Sequence, residues 1–356
     1  MRIVAFSDLH LANYTKYSTI NPKTGFNSRL IEGIDILKRI REYCLGQKID
    51  TVLFCGDLLD NSSKIQPDLL ELLIGELFMF KQWGISFICL AGQHDYYALN
   101  GEINGIKPFQ DYIIPIWNVT NLIIDQKYNF IFCPHKKNIE LQKKALAHAE
   151  TLKENNMCNI LVGHFLVKEI LERDGVNFKI DAISLEEDVH NVCNYYFFGD
   201  YHKHVAISEF KFDSLAISIG LPLQHNWRDK GAKCGFMDFD LDNGTYTYIN
   251  NLESPQFIEI RDVDKFPQEY EDNNYYRIFI EDKKEEDRIR ELIDDTWHVD
   301  FVYEGMEVVN NKEEGERIEG IEFTMHPKDI IGKYGEFMEI KEDLLKAGMK
   351  YINKGE

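Results

Sequence analysis

Hydrophobic and polar positions along the first half of the chain switch between strand and helix periods. A continuous apolar run at 2–6 predicts a buried strand. A loop rich in Asn, Thr and Ser fills 12–28. Over 29–46, Leu30, Ile34, Leu37 and Ile40 fall on one face at helical spacing, which predicts a helix with a core-facing stripe. Strand 51–55, helix 66–82 opened near Pro67, and strand 85–90 follow. Further strands are expected at 113–117, 121–124 and 129–133, a helix at 138–154, and strands at 159–162 and 195–198. From 205 to 250 the pattern is strand-like, with a turn at Asp242-Asn243-Gly244. Repeated β-α units with a β-rich second half predict an α/β fold, a two-sheet β-sandwich flanked by helices.

A domain boundary is expected near Ser254-Pro255, closing a first domain of residues 1–253. Residues 254–310 read as a small α+β cap domain: strands Phe257–Arg261 and Tyr276–Ile280, helix Glu285–Asp294, strand Val299–Tyr303. Residues 311–356 read as a solvated, charged linker and a helical tail, with helices at about 327–336 and 340–353. Leu344, Leu345, Met349 and Ile352 form an apolar stripe on the second.

The chemistry gathers where strands end. M-R-I-V-A-F-S-D-L-H carries Asp8 and His10 past the first strand. Residues two apart on a strand share a face, so this pair is expected to grip one object. T-V-L-F-C-G-D-L-L-D places Asp57 past a second apolar run, and F-I-C-L-A-G-Q-H-D places Gln93, His94 and Asp95 past a third. N-I-L-V-G-H places His164 past a fourth, and Y-Y-F-F-G-D-Y-H-K-H places Asp200, His202 and His204 past a fifth. Carboxylates and imidazoles are ligands for divalent metals. Loops at strand C-termini form the active-site crevice of α/β folds. Five such ends in one chain therefore predict a metal site.

Sixty acidic against forty basic residues give a net charge of −20, with over half of the excess after residue 260. A nucleic-acid binder usually carries a basic footprint, so tight DNA binding by this chain alone is not expected. Two divalent ions would add positive charge locally, and a partner could supply the rest. An acidic protein with no DNA role stays open. The seven cysteines are scattered without a C-x-x-C, several in apolar runs (Cys55, Cys89, Cys133), and read as reduced core residues. With no membrane-length apolar run and no signal peptide before the first strand, a cytoplasmic protein is expected. The absence of G-x-x-x-x-G-K-[ST] assigns any ATPase activity to a partner.

The five motifs resemble those of the calcineurin-like metallophosphoesterases: D-x-H, G-D-x-x-D/H, G-N-H-D, H and G-H-x-H. Within that superfamily the chain is similar to the SbcD-type DNA repair exonucleases of the meiotic-recombination-eleven family. G-L-P-L-Q-H-N-W at 220–227 resembles their G-S-L-x-Q-Q-N-F loop, and the tail resembles their partner-binding helices. The resemblance implies two divalent ions, Mn²⁺ or Mg²⁺, acting on a phosphodiester. Asp8, His10 and His202 would hold the first, and Asp57 would bridge both. Gln93, His164 and Asp200 would complete the second. His94 would contact the phosphate, with Asp95 orienting its ring. His204, Gln224, His225 and Asn226 become possible substrate contacts. Gln93 and Asp200 depart from the family's Asn and His, and an alternative register would pair His202 with His204 instead. The implied partners are DNA, a second copy through helices near 66–82 and 95–112, and an SbcC-type coiled-coil ATPase at the tail. The host would be a bacterium or phage-infected cell. Two other functions remain open: a stand-alone phosphatase or cyclic nucleotide phosphodiesterase, and a non-catalytic scaffold with a decayed second metal site.

Overall fold

The computed structural model describes residues 1–303 except 99–101, 177–180, 211–213, 268–273 and 294–296. The expected linker and tail, with Leu344, Leu345, Met349 and Ile352, lie outside the described residues. Met1–Tyr303 form one compact unit.

The chain runs β1 (Arg2–Phe6), α1 (Ser28–Gln47), β2 (Thr51–Phe54), α2 (Pro67–Gln82), β3 (Ser86–Leu90), β4 (Ile114–Ile116), β5 (Thr120–Ile124) and β6 (Tyr128–Cys133). It continues through α3 (Ile139–Glu150), β7 (Cys158–His164), α4 (Lys168–Arg173), α5 (Leu185–Asp188), β8 (Tyr195–Gly199), β9 (Val205–Phe210) and β10 (Ser214–Ser218). β11 (Gly235–Asp240), β12 (Thr245–Asn250), β13 (Phe257–Ile260), β14 (Tyr275–Ile280), α6 (Lys283–Arg290) and β15 (His298–Tyr303) complete it. The short helices α4 and α5 escape the periodicity because neither is long enough to show one.

Two six-stranded sheets result, in the orders β12-β11-β1-β2-β3-β4 and β5-β6-β7-β8-β10-β9. Their central strands are parallel and buried on both faces, which is why they read as unbroken apolar runs. Alternate residues face opposite ways. Ile3, Ala5, Leu53 and Leu90 meet Phe130, Phe132, Val162 and Phe197 between the sheets. Val4, Phe6, Val52 and Phe54 pack outward against Leu30, Leu37 and Ile40 of α1 and Leu73 and Leu77 of α2. Asn27 starts α1 by accepting hydrogen bonds from the amides of Arg29 and Leu30, and Lys48, left-handed at φ 58°, ends it. All seven cysteines are free and six are buried, as core residues should be.

A third sheet, β13-β14-β15, is wholly parallel, with α6 crossing between β14 and β15. Gln224 joins it to the body: its Oε1 accepts from the Phe257 amide at 2.8 Å. The Arg29 guanidinium donates to the carbonyls of Gln224 and His225 at 3.3 and 2.9 Å. That same group stacks 5.3 Å from the Tyr275 ring centre.

α1 and α2 are pinned by a buried ion pair, Arg41 Nε to Glu76 Oε1 at 2.6 Å. Removing one partner strands a buried charge. Glu76→Ala should therefore cost about 3–5 kcal/mol in urea unfolding, whereas Arg41→Met with Glu76→Leu should recover most of it. A loss below about 1 kcal/mol in the single variant would show that the pair carries no such weight.

Candidate metal centre

β1 ends at Phe6, two residues before Asp8, so strand alternation is not what aims Asp8 and His10. That expectation is corrected. Both residues lie in a loop with left-handed backbone, φ 56° at Asp8 and 45° at His10. Asp57 at 60° and Asp200 at 82° share this conformation. Each such residue costs about 1–3 kcal/mol and persists only where surroundings enforce it. Here the two loops are laced together: Asp8 donates its amide to Gly56, His10 to Asp57 and Leu11 to Leu58, at 2.9, 3.0 and 2.9 Å.

This backbone brings three carboxylate–imidazole groups together: Asp8, His10 and His202; Asp8, Asp57 and His164; His10, Asp60 and His94. His10 Nε2 lies 3.9 Å from Asp8 Oδ1 and 3.8 Å from Asp57 Oδ2. His202 Nε2 lies 4.0 Å from Asp8 Oδ1, and His164 Nε2 3.2 Å from Asp57 Oδ2. Asp57 thus stands between His10 and His164. Asp8, Asp57, His10 and His164 are all buried.

Divalent ions fit this donor set. Among the described residues, both ring nitrogens of His10 are buried with no hydrogen-bond partner, and the buried Nε2 of His164 has only the Asp57 carboxylate beside it, an arrangement that is costly unless something else satisfies them. His164 Nδ1 meets the Cys55 carbonyl at 2.7 Å and must donate to it. Its Nε2 lone pair then faces the Asp57 carboxylate, which repels unless a proton or cation lies between. Two ligands of one ion at ~2.1 Å sit about 3 Å apart, close to this separation.

The electrostatics follow from burial and proximity. Burial pushes the Asp8 carboxyl up to about 6, against the charges of His164 and His202. Burial acts upward on Asp57 too, but His164, then His10 and His94, outweigh it and hold it below the usual carboxylate range. Burial, then His225, pushes the His10 imidazole down.

Two residues of the expected second site depart from the family pattern. Gln93 is exposed. The Asp200 amide reaches Asp8 Oδ1 and Oδ2 at 3.2 and 3.3 Å, while its carboxylate joins none of the three groups among the described residues. His135, beyond the end of β6 beside β7, has a buried Nδ1 without a partner among the described residues. Burial, then the charge of His164, holds its imidazole low.

Several assigned roles need correction. Asp95 does not orient the His94 ring. Its fully buried carboxylate accepts from the amides of Asp57, Leu58, Leu59 and Gly92 at 3.0, 3.3, 3.0 and 2.9 Å. The ring of His94 is held by the Asp60 carbonyl, 2.7 Å from Nδ1, and its amide donates to Asp57 Oδ1 at 2.8 Å. Gln224 is buried, and its side chain is bonded to Ala232, Gln256 and Phe257 rather than presented to substrate. His225 is buried behind the site, with Nε2 on the Asp8 carbonyl at 2.9 Å. His204 turns away from the clusters and stacks on Tyr248, with centroids 4.2 Å apart. Asn226 is exposed, but its Oδ1 accepts the Arg228 amide at 2.9 Å as the cap of a short turn.

Asp60 and Asp229 went unassigned in the sequence. Asp60 is the last residue of G-D-L-L-D. Asp229 stands three after Asn226, the spacing of a capping box, which was the available signal.

Imidazoles and carboxylates converging at strand C-termini, where two sheets meet, define a metal-dependent hydrolase type of site. The sequence model for the calcineurin-like phosphoesterases matches residues 1–204, more than half of the chain, and this protein belongs to that family of metal-dependent phosphoesterases. Among solved structures, a dimetal phosphatase from Danio rerio is similar at 9% identity and a TM-score of 0.42, over 67% of this chain and 91% of its own. No curated protein sequence matches the chain.

Gly56 tests the geometry. At φ 108° with His164 packed against it, any side chain is strained, and a Cβ would strike the His164 ring. Gly56→Ala should lower Mn²⁺ affinity at least tenfold in calorimetric titration. Unchanged affinity would mean that His164 does not need its place.

Proposed function

We propose that this chain is a Mn²⁺-dependent DNA nuclease, the exonuclease/endonuclease subunit of an SbcCD-like end-processing and repair complex. The observation that carries the phosphodiesterase part is the set of partnerless buried imidazole nitrogens facing Asp8 and Asp57. Asp8, His10 and His202 would hold one ion, Asp57 and His164 a second, with Asp57 shared. Gln93 and Asp200 remain proposed contributors to the second ion. When bound, the ions supply Lewis acidity at phosphorus and an acidified water. The chain's residues do the rest. The Asp60 carbonyl accepts from His94 Nδ1, so the imidazolium form would present its second proton, on Nε2, to the phosphate and the leaving oxygen. Oxygen-rich ligation around Asp8, Asp57 and Asp200 favours Mn²⁺ or Mg²⁺ over zinc.

DNA as the substrate is supported by the sequence resemblance of residues 220–227, rather than by contacts from the buried Gln224 and His225, and by the third sheet beside them. Arg277 lies 4.0 Å over the Trp227 ring, a pairing suited to bases and phosphates. A homodimer is supported by Phe78, Tyr97 and Ile103, all exposed near the expected helices. The chain's acidity supports an ATPase partner that completes the DNA-binding surface. We assign its docking to residues 311–356, and the cytoplasm of a bacterium or infected host as the setting.

Purified protein with Mn²⁺ should cut single- or double-stranded DNA, alone or with its ATPase, and EDTA should abolish this. Failure on every DNA substrate, with rapid turnover of p-nitrophenyl phosphate, would replace the nuclease by a phosphatase. Asp57→Asn should lose both metal and activity. His94→Ala should lose at least a hundredfold in rate with metal content unchanged, and equal metal loss in both would overturn the division of roles. Deleting residues 320–356 should leave metal binding intact and abolish co-purification with the ATPase. Undiminished co-purification would exclude the tail as the docking element.

A further inference from the structure

We propose that Asp229, through a hydrogen bond to His202 Nδ1, is the residue that positions this imidazole for metal binding. The proposal rests on the metal assignment above and adds a residue that the family motifs do not contain.

His202 follows β8 in a half-exposed loop, where an imidazole could rotate or choose either tautomer. Asp229 removes both freedoms. Its Oδ1 lies 2.7 Å from His202 Nδ1. An ionised carboxylate only accepts, so Nδ1 carries a proton and Nε2 is the nitrogen left for a metal. Nε2 is the atom 4.0 Å from Asp8 Oδ1, on the side of the first ligand group. A ligating histidine whose other nitrogen donates to a carboxylate is both oriented and made more basic.

Asp229 is itself rigidly held. It is 4% exposed, and its Oδ2 accepts the amides of His225 and Asn226 at 2.9 and 3.1 Å. It ends a short 3-10 turn, Trp227–Asp229, closed by a capping box with Asn226. The other end of that turn is fixed too: Trp227 Nε1 donates to Tyr17 at 2.8 Å, and the ring lies 5.0 Å from Phe257 and 4.0 Å under Arg277. One turn thus carries a side chain packed on the third sheet and, two residues on, the carboxylate that aims His202.

The test is Mn²⁺ binding by the full-length protein, followed by the electron paramagnetic resonance of the free ion. Asp229→Asn keeps the size of the side chain and removes its charge, and should weaken binding by about 10–100-fold. On a His202→Ala background the same change should do nothing further, since Asp229 acts through His202. Binding by Asp229→Asn at the wild-type level overturns the proposal, as does an equal loss on both backgrounds. A measurement on the unaltered chain stands if the variant misfolds. The ¹⁵N shifts of His202 in Mg²⁺-loaded protein should show hydrogen on Nδ1 alone, and hydrogen on Nε2 refutes the assignment. A wild-type chain that binds neither Mn²⁺ nor Mg²⁺ fails the metal reading first, and this inference with it.

Discussion

The carboxylate of Asp95 holds together the backbone from which the site is built. It sits at the end of the third β-α unit and accepts from three consecutive amides of the second, those of Asp57, Leu58 and Leu59, and from Gly92 in its own loop. Three successive amides converging on one anion make a nest that the chain would not adopt alone. With that nest in place, Asp57 is held left-handed and its side chain is aimed at His164. The lacing of residues 8–11 onto 56–58 passes the same constraint to Asp8 and His10. A buried carboxyl group whose oxygens are taken up by backbone amides thus fixes the positions of the groups that form the site.

The second constraint joins the two sheets. Asp8 and Asp57 come from one sheet, His164 and His202 from strand ends of the other. His164 Nδ1 bonds the Cys55 carbonyl, so the imidazole crosses the sandwich and is held by the sheet it reaches. Gly56 and Gly199 leave room for that crossing, since a Cβ on either would enter the ring. The glycine before each acidic residue is therefore a spatial requirement of the histidine between them, as well as a turn former.

This explains which parts of the molecule were legible in the sequence. The parallel strands, buried on both faces, left apolar runs that any reading of periodicity finds, and each run ended just before a residue with a metal-competent side chain. Asp8, His10, Asp57, His164 and His202 were visible for that reason. What periodicity could not show was backbone conformation. Asp8 and His10 were assigned one face of a strand, and they converge through left-handed loops instead. Nor could it show which polar side chains were already engaged. Asp95 and Gln224 sit in motifs that suggest a place at the reaction, yet both are buried: Asp95 accepts four backbone amides, and Gln224 is bonded to Ala232, Gln256 and Phe257. Asp229 lay outside every motif, because its partner His202 is far away in sequence.

The charge of the site gives these observations a common cause. Two buried carboxylates, Asp8 and Asp57, face each other's field, and burial pushes the pKa of Asp8 up to about 6 even against the charges of His164 and His202. Such a pair is tolerable with a cation or with protons, and the neighbouring histidines can supply only the second. Two divalent ions would satisfy the nitrogens of His10 and His164 and neutralise the carboxylates of Asp8 and Asp57. Binding to the folded chain alone would then stabilise it by mass action. The left-handed loops that Asp95 holds bring these carboxylates and imidazoles together where a cation would offset the burial of both charges, which is the physical reason to expect a metal at this position.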